Sequence, residues 1–110
     1  MNASLTTHVL DTAQGRPANG IAITLLRVDR AERTRVGSGL TNADGRTNDP
    51  LGTNLPPGTY EMIFDLAQYF ENTTSWYDII TVRVVLDGLR DRHHVPLLLA
   101  PFGYSTYRGS

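Results

Sequence analysis

Between Asp78 and Leu86 the side chains alternate: Ile80, Val82, Val84 and Leu86 face one way, and Thr81 and Arg83 the other. A helix would scatter that set around its circumference, whereas an extended strand sends successive side chains to opposite sides. The pattern repeats along the chain. Leu5 to Asp11, Ile21 to Val28, Arg33 to Thr41, Thr59 to Asp65, His93 to Leu99 and Gly103 to Tyr107 read as strands, with a very short one at Arg46 to Asn48. Clusters of Gly, Pro, Asn and Asp divide them: Gly15 to Gly20, the tight turn Asn42-Ala43-Asp44-Gly45, and a loop from Asp49 to Gly58. Leu66 to Glu71 alone reads as a helix, of about two turns. Short alternating strands with turn signals between them predict an all-β, two-sheet sandwich with one short helix.

At 110 residues the chain is expected to form one domain, residues 1–110. A domain of this size buries a core but not a deep private cavity as well. Any active site is therefore expected in a shallow cleft or completed by a second subunit. The net charge of -1 supplies no basic field for nucleic acid. All ten basic residues are Arg, so lysine Schiff-base chemistry is excluded, and the absence of Cys excludes disulfides, thiol nucleophiles and thiolate metal sites. No apolar run approaches the ~20 residues of a membrane helix. The opening Met1-Asn2-Ala3-Ser4 lacks the charged and apolar regions of a secretory signal, which predicts a cytoplasmic protein.

Alternation also sorts the histidines. In the first strand Leu5, Thr7 and Val9 share one face, and Thr6, His8 and Leu10 the other; late in the chain Val95, Leu97 and Leu99 oppose His94, Pro96 and Leu98. If the Leu and Val faces make the core, His8 and His94 point out of it among apolar neighbours. That mixture predicts a covered face, an oligomer interface that also forms a site. His93 falls on the opposite side from His94, as a structural or solvated residue. The chain closes on Tyr104-Ser105-Thr106-Tyr107-Arg108-Gly109-Ser110, a density of aromatic, hydroxyl and guanidinium groups suited to an ordered, ligand-facing segment rather than a frayed end.

Ser4-Leu5-Thr6-Thr7-His8-Val9-Leu10-Asp11, Gly15-Arg16-Pro17-Ala18, Thr41-Asn42-Ala43-Asp44-Gly45-Arg46, His94-Val95-Pro96-Leu97-Leu98-Leu99 and the Tyr107-Arg108-Gly109-Ser110 ending together resemble the transthyretin-related family of 5-hydroxyisourate hydrolases. The His-Val-Pro strand and the Tyr-Arg-Gly-Ser ending are the specific parts; Leu55-Pro56-Pro57-Gly58-Thr59-Tyr60 occurs in many prealbumin-like modules. The resemblance implies a prealbumin-like homotetramer with active sites in a channel at the dimer–dimer interface, and ring-opening hydrolysis of 5-hydroxyisourate in urate breakdown without cofactor or metal. It places the catalytic set on His8, Arg46 and His94, and substrate-binding groups on Tyr107, Arg108, Gly109 and Ser110. Two departures stand out. Relatives often carry His-Tyr-His before Val-Pro, where this chain has Arg92-His93-His94, and Ala100 replaces a hydroxyl residue.

Hydrolysis of a cyclic acyl-urea needs a water deprotonated or oriented, an oxyanion stabilised and a ring nitrogen protonated. Histidine suits the proton transfers and arginine the oxyanion and a planar polar substrate. Which histidine acts as base stays open, as do the contributions of the Tyr107 and Ser110 hydroxyls and of a terminal carboxylate. Three rivals remain at this point. A carrier of small aromatic ligands would use the same channel. A zinc hydrolase would use the two histidines and a carboxylate such as Asp91, although none lies at the spacing of a known motif. A purely structural sandwich module needs no histidine pair.

Overall fold

The computed structural model describes residues 1–110 and folds them into nine strands in two sheets. In the first sheet β1 (Ala3–Asp11) runs parallel to β8 (Arg92–Ala100), and β9 (Gly103–Thr106) closes that side antiparallel to β8. The other side of β1 is shared: β2 (Arg16–Pro17) pairs with Leu10 and Asp11, while β5 (Gly52–Leu55) pairs with Ala3 and Leu5. The second sheet is antiparallel, in the order β4 (Glu32–Leu40), β3 (Ala22–Asp29), β6 (Gly58–Asp65), β7 (Ile79–Leu86).

The alternation read from the sequence decides which faces meet. Leu5, Val9, Val95, Leu97 and Leu99 from the first sheet pack against Ile23, Leu25, Tyr60, Met62, Phe64, Ile80 and Val82 from the second, all buried in one core cluster. Each such side chain contributes about 1.5–3 kcal/mol on leaving water. A one-residue slip of β1 or β8 would turn that whole set outward, so burial fixes the register. By the same alternation Thr6, His8, His94 and Leu98 stay only half-buried on the outer face.

Three expectations change. The helix at Leu66 to Glu71 is absent. The Phe70 N–H donates to the Leu66 carbonyl at 3.0 Å, but the Glu71 N–H turns back to Gln68 at 3.3 Å and the Thr73 N–H to Phe70 at 2.9 Å, giving successive turns. Six residues are too few to repay helix nucleation. The segment is held by burial of Leu66 and Phe70 and by a Tyr69 hydroxyl drawn to Asp11 at 2.6 Å. Arg46 to Asn48 forms no strand, only a single bridge between Thr41 and Thr47. The loop at Asp49 to Gly58 contains β5, whose Gly52 packs so closely that a Cβ there would lie 2.8 Å from the Leu25 side chain. No helix of the structure is long and apolar enough to cross a membrane.

Candidate active site

Parallel pairing of β1 with β8 sets Thr6 opposite His94 and His8 opposite Pro96. His8 and His94 therefore lie diagonally on one outer face, on adjacent strands. The Thr6 hydroxyl and His94 Nδ1 are 2.9 Å apart and share a hydrogen bond whose donor depends on the tautomer. That contact spends Nδ1 and leaves Nε2 as the ring nitrogen without a protein partner.

Arg46 arrives on a turn built for close approach. The Asn42 Oδ1 accepts from the Asp44 N–H at 2.9 Å and the Arg46 N–H at 3.3 Å, and Gly45 takes φ 73°, which a side chain would resist. The Gly45 carbonyl then accepts from the Val9 N–H at 2.8 Å, stitching the turn to β1. A Cβ on Gly45 would sit 2.3 Å from the Val9 oxygen and 3.2 Å from His8 Cδ2, so only glycine lets the turn lie against His8. The Arg46 guanidinium makes no ion pair with a carboxylate. Burial first, then the positive charges of Arg46 and His8, hold His94 below the ordinary imidazole value of 6.5.

The closing segment crosses His94. Thr106 Oγ1 donates to the Pro96 carbonyl at 2.7 Å, and the Gly109 N–H donates to the His94 carbonyl at 2.7 Å. A Cβ at Gly109 would lie 2.7 Å from His94 Cδ2 and 3.1 Å from Pro96, so the absence of a side chain lets the backbone rest on the imidazole.

These elements enclose an open pocket of about 440 Å³ with no apolar residue in its lining. Arg46, His94, Gly109 and Ser110 line it, so these expected site residues come together. His8 stands beside it, behind Gly45 and close enough for its charge to act on His94. Tyr107 and Arg108 do not line it. They border a second, largely apolar cavity of about 290 Å³ between β7 and the closing segment. His93 and His94 border both cavities; His93 is itself buried, at 7% exposure, with Nε2 unpartnered, so the solvated option for it is removed. Sequence reasoning passed over Ser4, Thr6, Arg90 and Arg92, which also line the polar pocket. Ser4, Thr6 and Arg92 carried one signal, the shared alternation face of His8 and His94. No group of three or more His, Asp or Glu side chains converges as a metal-ligating cluster. The arrangement offers a neutral imidazole with one nitrogen fixed and one open, an unpaired guanidinium, and a polar floor. That is equipment for activating water beside a carbonyl.

A family model described as "HIUase/Transthyretin family" matches residues 5–109. The chain is 45% identical over 113 residues to the 5-hydroxyisourate hydrolase of Deinococcus radiodurans, covering 96% of this chain and 95% of that protein. Among solved structures it is similar to Klebsiella pneumoniae 5-hydroxyisourate hydrolase, with TM-score 0.81 and 32% identity over 98% of this chain and 94% of that one. It is also similar to transthyretin from Sparus aurata, with TM-score 0.88 and 26% identity over 97% of each chain.

Proposed function

The chain belongs to the HIUase/Transthyretin family, and from that premise we propose that it is a hydrolase that opens the six-membered ring of 5-hydroxyisourate. The observation that carries the reading is His94: Nδ1 is tied to Thr6 at 2.9 Å, burial and the nearby positive charges favour the neutral ring, and it borders an arginine-lined polar pocket. A neutral imidazole near physiological pH accepts a proton from water; the hydroxide equivalent adds to the ring carbonyl, and the oxyanion develops near Arg46. Collapse breaks the C–N bond, the proton passes to the departing nitrogen, and a carboxylate remains. His8, diagonal to His94, relays or positions, and Gly109 and Ser110 border the substrate. Tyr107 and Arg108 act from the neighbouring cavity, on the closing segment's position.

The same reading includes a homotetramer with sites at the dimer–dimer interface, a cytoplasmic location and catalysis without metal. The tetramer is supported by the half-buried apolar and histidine face of β1 and β8, which a second copy would cover. The carrier alternative draws support from the likeness to Sparus aurata transthyretin and from the largely apolar cavity that His94 also borders; against it, a carrier of aromatic ligands needs a mainly apolar lining, and the pocket that brings Arg46 and Ser110 to His94 has no apolar residue in its wall.

The test follows the ultraviolet decay of 5-hydroxyisourate generated from urate by urate oxidase, with and without the protein and with EDTA as a third arm. Acceleration that survives EDTA is expected, and His94→Asn is expected to lower kcat by about 10²–10⁴-fold, the range of general-base catalysis. A folded tetramer that leaves the decay unchanged overturns the reading.

A further inference from the structure

Three guanidinium groups line the polar pocket, and the proposed oxyanion stabilisation uses only that of Arg46. Besides Arg46 it is lined by Arg90 and Arg92, and by no acidic side chain. Arg92 shares the outer face of β8 with His94, two residues along the strand, and stands opposite Ser4 on β1. It is exposed and makes no ion pair. Arg90 has one distant carboxylate partner, Asp87, at 3.9 Å, which neutralises little at such separation in water. Both arginines are exposed while lining the pocket, which places them at its solvent edge.

We propose that Arg92, assisted by Arg90, is a positioning residue that selects planar anions at the mouth of the pocket and holds the carboxylate formed by ring opening. This rests on the hydrolase reading for its substrate. Whatever the substrate, the free guanidinium of Arg92 and the weakly paired one of Arg90 beside a polar cleft concentrate anions there and present forked donors that fit a carboxylate. An arginine at the rim keeps its charge at every pH at which the protein is folded.

Two measurements on the intact oligomer test the rim. In steady-state hydrolysis of 5-hydroxyisourate, Arg92→Gln is expected to raise KM about two- to fivefold, the range of an exposed charge contact, with kcat changing less than KM. The penalty is expected to vanish near 1 M salt, where the screening length is about 3 Å, and Arg92→Lys is expected to restore most of the low-salt KM. In equilibrium binding by calorimetry, the wild type is expected to prefer urate, a planar anion, over neutral hypoxanthine, and Arg92→Gln to narrow that preference by a similar factor. An unchanged KM, a loss confined to kcat, or a urate preference indifferent to Arg92 overturns the proposal. If the wild type fails to hydrolyse 5-hydroxyisourate yet shows an Arg92-dependent urate preference, the rim stands and the hydrolase reading falls. Hydrolysis with an Arg92-independent KM gives the reverse.

Discussion

Thr6 contributes one hydroxyl, and that hydroxyl decides which nitrogen of His94 is left for chemistry. Thr6→Val keeps the branched shape on the outer face of β1 but removes the 2.9 Å contact to Nδ1. Loss of one neutral, part-buried hydrogen bond is expected to lower the unfolding free energy by at most about 1 kcal/mol, whereas kcat/KM, which also needs the correct His94 tautomer, is expected to fall by more than that, about tenfold or greater. Equal loss of stability and activity would show Thr6 to be structural only. The pH profile belongs with the same residue. Since burial, Arg46 and His8 push His94 below 6.5, the acid limb of kcat/KM is expected to have its midpoint on the acid side of the ordinary imidazole value. Arg46→Gln, by removing one of the depressing charges, is expected to move that limb toward higher pH. Measuring both profiles checks the cause, and an unmoved limb would contradict it. His8, Arg46 and His94 were legible in the sequence through the motifs around them. Thr6 was not, because a threonine in a strand is ordinary and its meaning comes only from a partner 88 residues away.

The strands were legible wherever one face is buried. β1, β6 and β7 alternate in the folded chain as they do on paper; β3 does so up to Leu25, where a bulge against β4 breaks the pattern, and in β8 Pro96, read as outward-facing, is buried between Val95 and Leu97 while His94 and Leu98 stay half-buried. β5 was hidden because Gly-Thr-Asn-Leu has no alternation to read; its pairing with β1 and the tight seat of Gly52 create it from tertiary contact. The segment from Leu66 to Thr73 misled in the opposite direction. Its apolar spacing fits a helix, but its side chains are claimed separately by the core and by β1. Tyr69 is the clearest case: its hydroxyl donates at 2.6 Å to Asp11, a carboxylate 2% exposed whose other oxygen accepts from the Gln14 N–H at 2.9 Å. Tyr69→Phe leaves that carboxylate one donor short and is expected to destabilise the fold by about 1.5–3 kcal/mol, as for hydrogen bonds to charged groups, read by urea unfolding. The alkaline behaviour follows. Burial, the bond to Asp11 and its charge push the Tyr69 hydroxyl up to about 12 from 10.0. The native state thus keeps its proton after the unfolded chain has lost it. The stabilisation is complete below pH 10 and is lost as pH rises through about 12. The Phe variant should lack this step, and a step of equal size in both proteins would assign it elsewhere.

Across the whole sandwich the two neighbouring histidines on β8 report the two sides of one sheet. His94 faces the pocket, whereas His93, opposite Leu5, faces inward at 7% exposure with Nε2 unpartnered. Burial, reinforced by Arg90 and Arg108 and opposed by Asp87, holds His93 below 6.5. The folded protein therefore favours the neutral form of this imidazole more than the unfolded chain does. As pH falls below 6.5 the unfolded chain takes up protons that the native chain refuses, so stability, complete above 6.5, declines toward the lowered native value. His94 acts in the same direction. A single group of this kind gives a slope of at most about 1.4 kcal/mol per pH unit. Urea unfolding at fixed protein concentration, so that assembly contributes equally, is expected to show lower stability at pH 5 than at pH 8. His93→Leu, apolar and without a proton to gain, is expected to shrink that difference while leaving His94's share in place. If the variant keeps the full difference, the acid sensitivity belongs to His94 or to subunit contacts. If it loses part, one sheet carries both the imidazole suited to catalysis and the one that limits the fold in acid.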